Sequence, residues 1–184
     1  MPKIVDEKYY NGSKRKIERL GLQNLLDEIK NTLTGFNLLL TEQKNANGAA
    51  AIREMLDARF ERVGGWKPIK SGGIDWTKCV HLNGVSTCIG LELQISARSD
   101  LLTNDLTHLM AAIERGDIDV GVIVVPADKT ATYLTDRCPR FSDALNHVER
   151  AKGQFSPLVI VSLSHDGTGP PLPKRSTNLG RAKR

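Results

Sequence analysis

The stretch from Gly72 to Ser96, GGIDWTKCVHLNGVSTCIGLELQIS, contains two segments of strand-like alternation on either side of a central Asn-Gly pair. Asn-Gly favours a two-residue hairpin turn, because both central residues of a type I′ turn need positive φ. Such a turn places Leu82 opposite Val85, and counting outward along the strands places Asp75 opposite Glu92. The sequence therefore predicts a β-hairpin with two acids facing each other near its open end.

Side chains alternate along a strand, so the register also assigns each residue to a face of the hairpin. The predicted core face, interrupted by Lys78 and Thr87, carries Trp76, Val80, Leu82, Val85, Ile89, Leu91, Leu93 and Ile95. The other face carries Asp75, Glu92 and Gln94. Opposed Cβ atoms lie roughly 4.5–5.5 Å apart, so the two acids repel unless a positive charge lies between them. A divalent cation with oxygen ligands would supply that charge; the alternative is a solvated face on which each acid leans into water.

Asp75, followed after a gap by Glu92-Leu93-Gln94, resembles the PD-(D/E)xK nuclease pattern in the variant with Gln in place of Lys. More specifically, the chain resembles the BglII and BstYI restriction endonucleases. The gap between the two acids is longer than in that family, which an extended hairpin explains. Segments that carry the resemblance follow in the same order: Lys3–Val5 through Asn11-Gly12, Arg59-Phe60, Gly65–Lys67, Ile74–Trp76, Leu91–Gln94, Ile118–Val122 with Pro126, and Pro157–Val159.

This resemblance implies a type II restriction endonuclease that uses Mg²⁺ to hydrolyse both strands of a short palindromic site in double-stranded DNA. A homodimer would supply one active site for each strand, and cleavage would leave 5′-phosphate and 3′-hydroxyl ends. Asp75 and Glu92 would ligate the metal together with the backbone carbonyl of Leu93. Gln94 would orient the attacking water.

Base-reading residues are expected close to the active-site strand and after the next buried strand, since Arg, Asn and Ser side chains read base edges. The candidates for DNA binding are Ser96, Arg98, Ser99, Asn104, Arg137 and Arg140. The alternative is that these residues are helix caps and loop residues.

Two other functions remain open: a repair or junction nuclease of the same fold, which would cut by DNA shape, and a non-catalytic DNA-binding module. Retention of Asp75, Glu92 and Gln94 together argues against the module.

The order of predicted elements indicates the fold class. Apolar residues at helical spacing predict helices over residues 22–33, 49–63, 98–115 and 141–152. Strands outside the hairpin are predicted over residues 3–10, 120–125 and 156–163. Helices alternating with buried strands predict an α/β fold with a mixed central sheet flanked by helices, which the resemblance implies is restriction-endonuclease-like.

The polar side of the second helix carries Glu54 and Asp57; related nucleases often supply an extra acid there, but a solvated charged face is the alternative.

Length and charge fit this interpretation. The 184 residues are predicted to form one domain, 1–164, and a basic tail rich in Pro and Gly, 165–184, which is either a disordered terminus or a contact to DNA phosphates. A net charge of +5 favours a polyanionic partner. The polar start and the lack of a long apolar run predict neither a signal peptide nor a membrane span, so a cytoplasmic location is expected.

The cysteines and histidines show no metal-binding spacing. Three cysteines without a CxxC pair indicate neither a disulfide framework nor a zinc site. Cys79 and Cys88 face each other across the predicted hairpin and are expected to be buried thiols in a reducing compartment. His108 and His147 are expected to be surface or half-buried residues on helices.

Overall fold

The protein was analysed as a computed structural model, which describes residues 1–69, 73–82, 84–96, 101–135, 137–150 and 156–174. Its elements are, in chain order, β1 (Lys3–Tyr10), α1 (Ser13–Arg19), α2 (Gln23–Thr34), β2 (Leu39–Leu40), α3 (Ala49–Val63), β3 (Lys67–Ile69), β4 (Ile74–Leu82), β5 (Val85–Leu93), α4 (Leu102–Glu114), β6 (Val120–Pro126), α5 (Asp128–Tyr133), α6 (Phe141–Arg150), β7 (Leu158–Ser164) and β8 (Gly167–Thr168). Six strands form one sheet in the order β1-β7-β6-β5-β4-β3. The β5-β6 and β6-β7 pairs are parallel and the other three are antiparallel.

Helices cover both faces of this sheet. On one face, apolar residues of α1, α2 and α3, such as Leu26 and Phe60, form a single buried cluster with the sheet. On the other face, α4 and α6 pack against the sheet through residues such as Leu106 and Val148. The predicted α/β class with a mixed, helix-flanked central sheet is therefore confirmed. No helix in the described residues is long and apolar enough to cross a membrane.

The hairpin formed by β4 and β5 has the predicted register. Leu82 pairs with Val85 and Thr77 pairs with Gly90, and regular pairing continues to Trp76 and Leu91. Most of the predicted core face packs in the first cluster, through Trp76, Val80, Ile89, Leu91, Leu93 and Ile95. Val85, beside the turn, was also predicted on this face but is exposed, because no helix of the described residues covers that end of the hairpin. Lys78, which interrupts the face, is neutralised by Glu28 of α2 at 2.6 Å. The turn signal and the alternation of side chains were therefore sufficient to predict the pairing.

The opposed cysteines correct one expectation. Cys79 and Cys88 form a disulfide across the hairpin, so the prediction of two separate buried thiols is wrong. Their Cα atoms lie 4.0 Å apart because they occupy directly opposed positions on adjacent strands. Cys138 is outside this disulfide, and its thiol donates to the Ile95 carbonyl at 2.6 Å.

Helix α4 covers the part of the second hairpin face around Gly90 and Glu92, whereas Cys79, His81 and Ser86 on the same face are exposed. Gly90 and Gly121 are neighbours on adjacent strands of the sheet. A Cβ added at Gly121 would lie 3.2 Å from Leu109 Cβ, and one added at Gly90 would lie 3.4 Å from Leu109 Cδ2. The absence of a side chain at Gly121 thus lets α4 approach the sheet closely, whereas the space at Gly90 is filled mainly by Ile118, whose Cδ1 would lie 2.5 Å from an added Cβ.

Several element boundaries differ from those predicted. Helices α1 and α5 and the short strands β2, β3 and β8 were not predicted. The described part of the third predicted helix begins at Leu102, since residues 97–100 lie outside the described residues. The fourth ends at Arg150, and the predicted residues after it also lie outside the described part of the chain.

The domain extends past the predicted boundary at residue 164. Strand β8 pairs in parallel with β2, and the amino group of Met1 contacts Asp166 at 2.7 Å. Leu172 packs against the first apolar cluster. Residues 165–174, which are rich in Pro and Gly, thus pack along the domain surface and are called the strap below. The basic residues 175–184 lie outside the described residues.

Asn47 fixes this strap at the start of α3. Its side chain is fully buried; Nδ2 donates to the carbonyls of Thr41 and Tyr133 at 2.9 and 3.0 Å. Oδ1 accepts the backbone N–H groups of Thr41 and Leu172 at 3.0 and 3.3 Å. One amide thereby satisfies groups from three separate segments. The next residue, Gly48, has no room for a Cβ, which would collide with the Pro173 carbonyl.

The close approach of Gly48 to Pro173 gives a testable prediction. We expect Gly48→Ala to lower stability by about 1–3 kcal/mol, the usual cost of inserting a methyl group into a filled space. In a chain lacking residues 171–184, the same substitution should cost less, about 0.5–1 kcal/mol, because Gly is preferred over Ala at the N-cap of a helix. Urea unfolding of the four proteins measures the coupling. Equal costs in both backgrounds would mean that the strap does not pack here.

Candidate active site

Asp75 and Glu92 lie together at the end of the hairpin that is remote from its turn. Asp75 is the second residue of β4, and its Oδ2 accepts the backbone N–H of Leu93 at 2.8 Å. Glu92 lies one residue before the end of β5 and is only 2 % exposed. Asp75 lies close enough to Glu92 for its charge and its side chain to raise the pKa of the Glu92 carboxyl. The proximity predicted from the register is therefore present.

The environment of Glu92 favours its protonated form. Burial is the largest cause that raises the pKa of this carboxyl far above its usual value, and the negative charge of Asp75 raises it further. The Oε1 atom of Glu92 is buried and has no hydrogen-bond partner among the described residues. The site therefore contains an acid oxygen that is available to a cation or to a proton.

Arg53 of α3 provides positive charge at the hairpin end. Its guanidinium contacts Asp75 Oδ1 at 2.7 Å, and Nη1 donates to the Leu93 carbonyl at 3.1 Å. Its Nε donates to both carboxylate oxygens of Asp57 at 2.8 and 2.9 Å. Arg53 thus contacts two of the three groups predicted to ligate the metal. Sequence reasoning treated it as a charged residue on the solvated helix face and missed this role.

Of the two helix acids considered from the sequence, Asp57 faces the site and Glu54 is exposed. The Asp57 carboxylate is held by Arg53 and also accepts the indole N–H of Trp76 at 3.1 Å. Arg53, Asp57 and Asp75 line one surface depression, which is open to solvent. A cation or a phosphate group can therefore approach Asp75 from this side.

Helix α4 adds Asp105 and His108, which sequence reasoning also missed. One ligand atom from each of Glu92, Asp105 and His108 lies within 4.8 Å of the other two. Burial, followed by the charge of Asp75, raises the pKa of Asp105 to about 6, against the opposing charge of Arg53. The three-residue spacing of Asp105 and His108 places both on one helix face, but the spacing does not reveal that this face meets Glu92.

The remaining predicted residues are distributed as follows. Gln94 is buried immediately after β5, and its backbone N–H donates to the Val124 carbonyl at 2.9 Å. Ser96 is half-buried and Asn104 is exposed on α4. The candidates Arg98 and Ser99 lie outside the described residues.

Arg137 and Arg140 are exposed and line a second depression together with Lys44. The hydrogen bond from Cys138 to the Ile95 carbonyl connects the loop that carries Arg137 and Arg140 to the segment that follows β5. The two arginines are therefore held near the end of β5 by a buried contact that the sequence does not reveal.

The raised pKa of Glu92 predicts how stability depends on pH. Between about pH 5 and pH 8 the unfolded chain loses this proton and the folded protein keeps it, so metal-free stability should fall as the pH rises. One such group contributes at most about 1.4 kcal/mol for each pH unit, or roughly 3–6 °C in a domain of this size. Glu92→Gln removes this contribution, so its melting temperature should rise relative to wild type across the interval.

Thermal unfolding in EDTA at several pH values measures that difference. Glu18→Gln, at an exposed position on α1, controls for the loss of one carboxylate. A difference between Glu92→Gln and wild type that stays constant from about pH 5 to pH 8 would contradict a protonated Glu92.

Comparison with known proteins agrees with this geometry. A family model described as "Restriction endonuclease BglII/BglIII" matches residues 5–163. The chain is also 26% identical over 201 residues to the type II restriction enzyme BamHI of Bacillus amyloliquefaciens, a match that covers 97% of this chain and 91% of BamHI. The predicted resemblance and the predicted class, a site-specific deoxyribonuclease, are confirmed. Restriction endonucleases generally use a divalent metal ion, and the acids described above have the chemistry for one. The chain therefore belongs to the BglII/BglIII restriction endonuclease family.

Proposed function

We propose that this protein is a type II restriction endonuclease that hydrolyses both strands of a short palindromic DNA site in the presence of Mg²⁺ and leaves 5′-phosphate ends. The observation that carries the proposal is the pair formed by Asp75 and Glu92 beside a solvent-open depression. BamHI, which is named a type II restriction enzyme, matches nearly the whole chain and supports the same activity.

Asp75, Glu92 and the Leu93 carbonyl would hold the metal. These are oxygen donors, as Mg²⁺ prefers, and the unpartnered Oε1 of Glu92 fits such a role. When bound, the ion lowers the pKa of a coordinated water and offsets charge that develops on the phosphate. Asp75 is well placed for this task because the Leu93 N–H fixes one of its oxygens at 2.8 Å.

Gln94 and Arg53 would complete the site. Gln94 is neutral, so it can orient the attacking water but cannot supply positive charge. Arg53 is the described cation that contacts the acid pair, at 2.7 Å from Asp75, and in the complex it would stabilise the scissile phosphate as well as position Asp75. A guanidinium suits this double role because its donors can bind a carboxylate and a phosphate in fixed geometry.

DNA contacts are proposed for two groups of residues. Lys44, Arg137 and Arg140 line one depression, where their charges would bind backbone phosphates. Ser96 and Asn104 lie nearer the active-site strand and would contact base edges, as Arg98 and Ser99 were also predicted to do. The described residues of one chain contain one Asp75–Glu92 pair, and cutting two strands requires two, so the active form is proposed to be a symmetric homodimer.

Cleavage assays test this proposal. With Mg²⁺, the wild-type protein should cut plasmid DNA into discrete fragments with 5′-phosphate ends. Glu92→Gln should lower the rate by about 10²–10³-fold or more, the scale for losing one contact to the transition state, while specific DNA binding in Ca²⁺ is retained. Glu18→Gln is the matched control.

A smear of fragments, or selective cutting of branched substrates, would instead identify a structure-specific nuclease. Binding without any cleavage under all metal conditions would identify a non-catalytic module. Cleavage by Glu92→Gln near the wild-type rate would refute the assignment of the site.

Arg53 gives a separate prediction, because it neutralises acids that the metal also needs. Arg53→Ala should bind Mg²⁺ more tightly than wild type without DNA, by roughly tenfold, since a positive charge a few ångströms away repels the ion. The same variant should nevertheless cleave more slowly. Titration calorimetry and single-turnover cleavage measure the two effects. Arg62→Ala, at an exposed position on the same helix, is the control, and weaker metal binding by Arg53→Ala would contradict the prediction.

A further inference from the structure

Helix α4 brings a second set of potential metal ligands to Glu92. Ligand atoms of Glu92, Asp105 and His108 lie within 4.8 Å of one another, on the side of the hairpin that α4 covers. Arg53 contacts Asp75 and the Leu93 carbonyl, but the hydrogen bonds of its guanidinium do not include Glu92. The acid pair therefore has two sides, one facing Arg53 and the other facing α4.

Two atoms in this cluster are buried without a partner among the described residues, Glu92 Oε1 and His108 Nδ1. Glu92 is 2 % exposed, so its unpartnered Oε1 is held away from water. A buried polar atom left unpaired costs about 1–3 kcal/mol. Two such atoms in one three-residue cluster are explained together if the cluster binds an ion.

The imidazole of His108 is fixed by its packing. Gly73, with φ of +73°, has no side chain to exclude the ring, and a Cβ there would lie 3.0 Å from His108 Cε1 and 3.1 Å from Nδ1. The ring therefore packs on the backbone two residues before Asp75. Asp105 lies one helical turn before His108 on the same face of α4. The ligands are thus held by the sheet and a single helix, without a flexible loop.

We propose that Glu92, Asp105 and His108 form a second divalent-cation site, next to the site of Asp75 and Leu93 and sharing Glu92 with it. Two carboxylates and an imidazole select ions that accept a nitrogen ligand, such as Mn²⁺, Co²⁺ or Zn²⁺, over Mg²⁺ and Ca²⁺. The shared use of Glu92 rests on the proposed function, whereas the binding of an ion by His108 does not. With such a site, the ligands on α4, together with those on the active-site hairpin, determine which metal ion the protein binds.

Mn²⁺ added to the full-length protein without DNA tests the site directly. Pulsed EPR should detect coupling of Mn²⁺ to an imidazole nitrogen, and His108→Ala should abolish this coupling. Asp105→Asn should weaken Mn²⁺ binding by about tenfold or more, the lower end of the effect measured even for residues around metal ligands. His147→Ala, at an exposed position on α6, should retain both the coupling and the affinity. Thermal unfolding in EDTA checks that each variant is folded.

Asp75→Asn separates this proposal from the proposed function. It should lose Mg²⁺-dependent cleavage and keep the imidazole coupling of Mn²⁺. If it keeps cleavage, the assignment of the active site fails while the coupling still reports on the second site. A wild-type spectrum without nitrogen coupling, or coupling that persists in His108→Ala, would overturn the second site and show that a proton or a water occupies the cluster.

Discussion

The burial of the Glu92 carboxyl beside Asp75 is the constraint on which the structure of this site depends. A carboxylate removed from water is stable only when it is protonated or paired with positive charge. Asp75 is paired with the guanidinium of Arg53, whose Nη2 lies 2.7 Å from Asp75 Oδ1. Glu92 is stabilised by protonation instead. Helices α3 and α4 approach from opposite faces of the sheet. Their docking against the apolar core therefore also determines the charge balance at the end of the hairpin.

The balance of charge at the end of the hairpin is negative, which suits the binding of a divalent cation. Four acids, namely Asp57, Asp75, Glu92 and Asp105, surround the single guanidinium of Arg53 in the described part of the site. Their excess negative charge must be offset by protons or by added cations. Because burial raises the pKa of Glu92 far above its usual value, a proton offsets the charge of this acid in the free protein. Under the proposed function, a divalent ion held by these acids would replace the protons and supply the positive charge that a phosphate group needs.

The hairpin could be predicted from the sequence because its determinants are local. The Asn-Gly turn fixes the register, and alternation then fixes which side chains share a face with Glu92. Arg53, Asp105 and His108 could not be placed this way, because a helical pattern identifies the polar face of a helix but not the polar residue that meets the sheet. The packing of the strap that follows residue 164 could not be predicted for a similar reason. Its Pro and Gly residues are typical of disorder, and the contact that orders it comes from Asn47, more than a hundred residues earlier.

Arg53 also changes how metal and DNA binding are related. The Gln94 variant of the nuclease pattern lacks the positive charge of Lys, and the resemblance alone assigns that charge to the metal. In the folded chain, Arg53 already contacts Asp75 and the Leu93 carbonyl. If Mg²⁺ is held by the same groups, each cation weakens the binding of the other. A DNA phosphate that draws the guanidinium away from Asp75 must then strengthen metal binding, and by reciprocity the metal must strengthen DNA binding by the same factor. The free enzyme would therefore bind Mg²⁺ weakly, and the complete catalytic centre would assemble only on DNA.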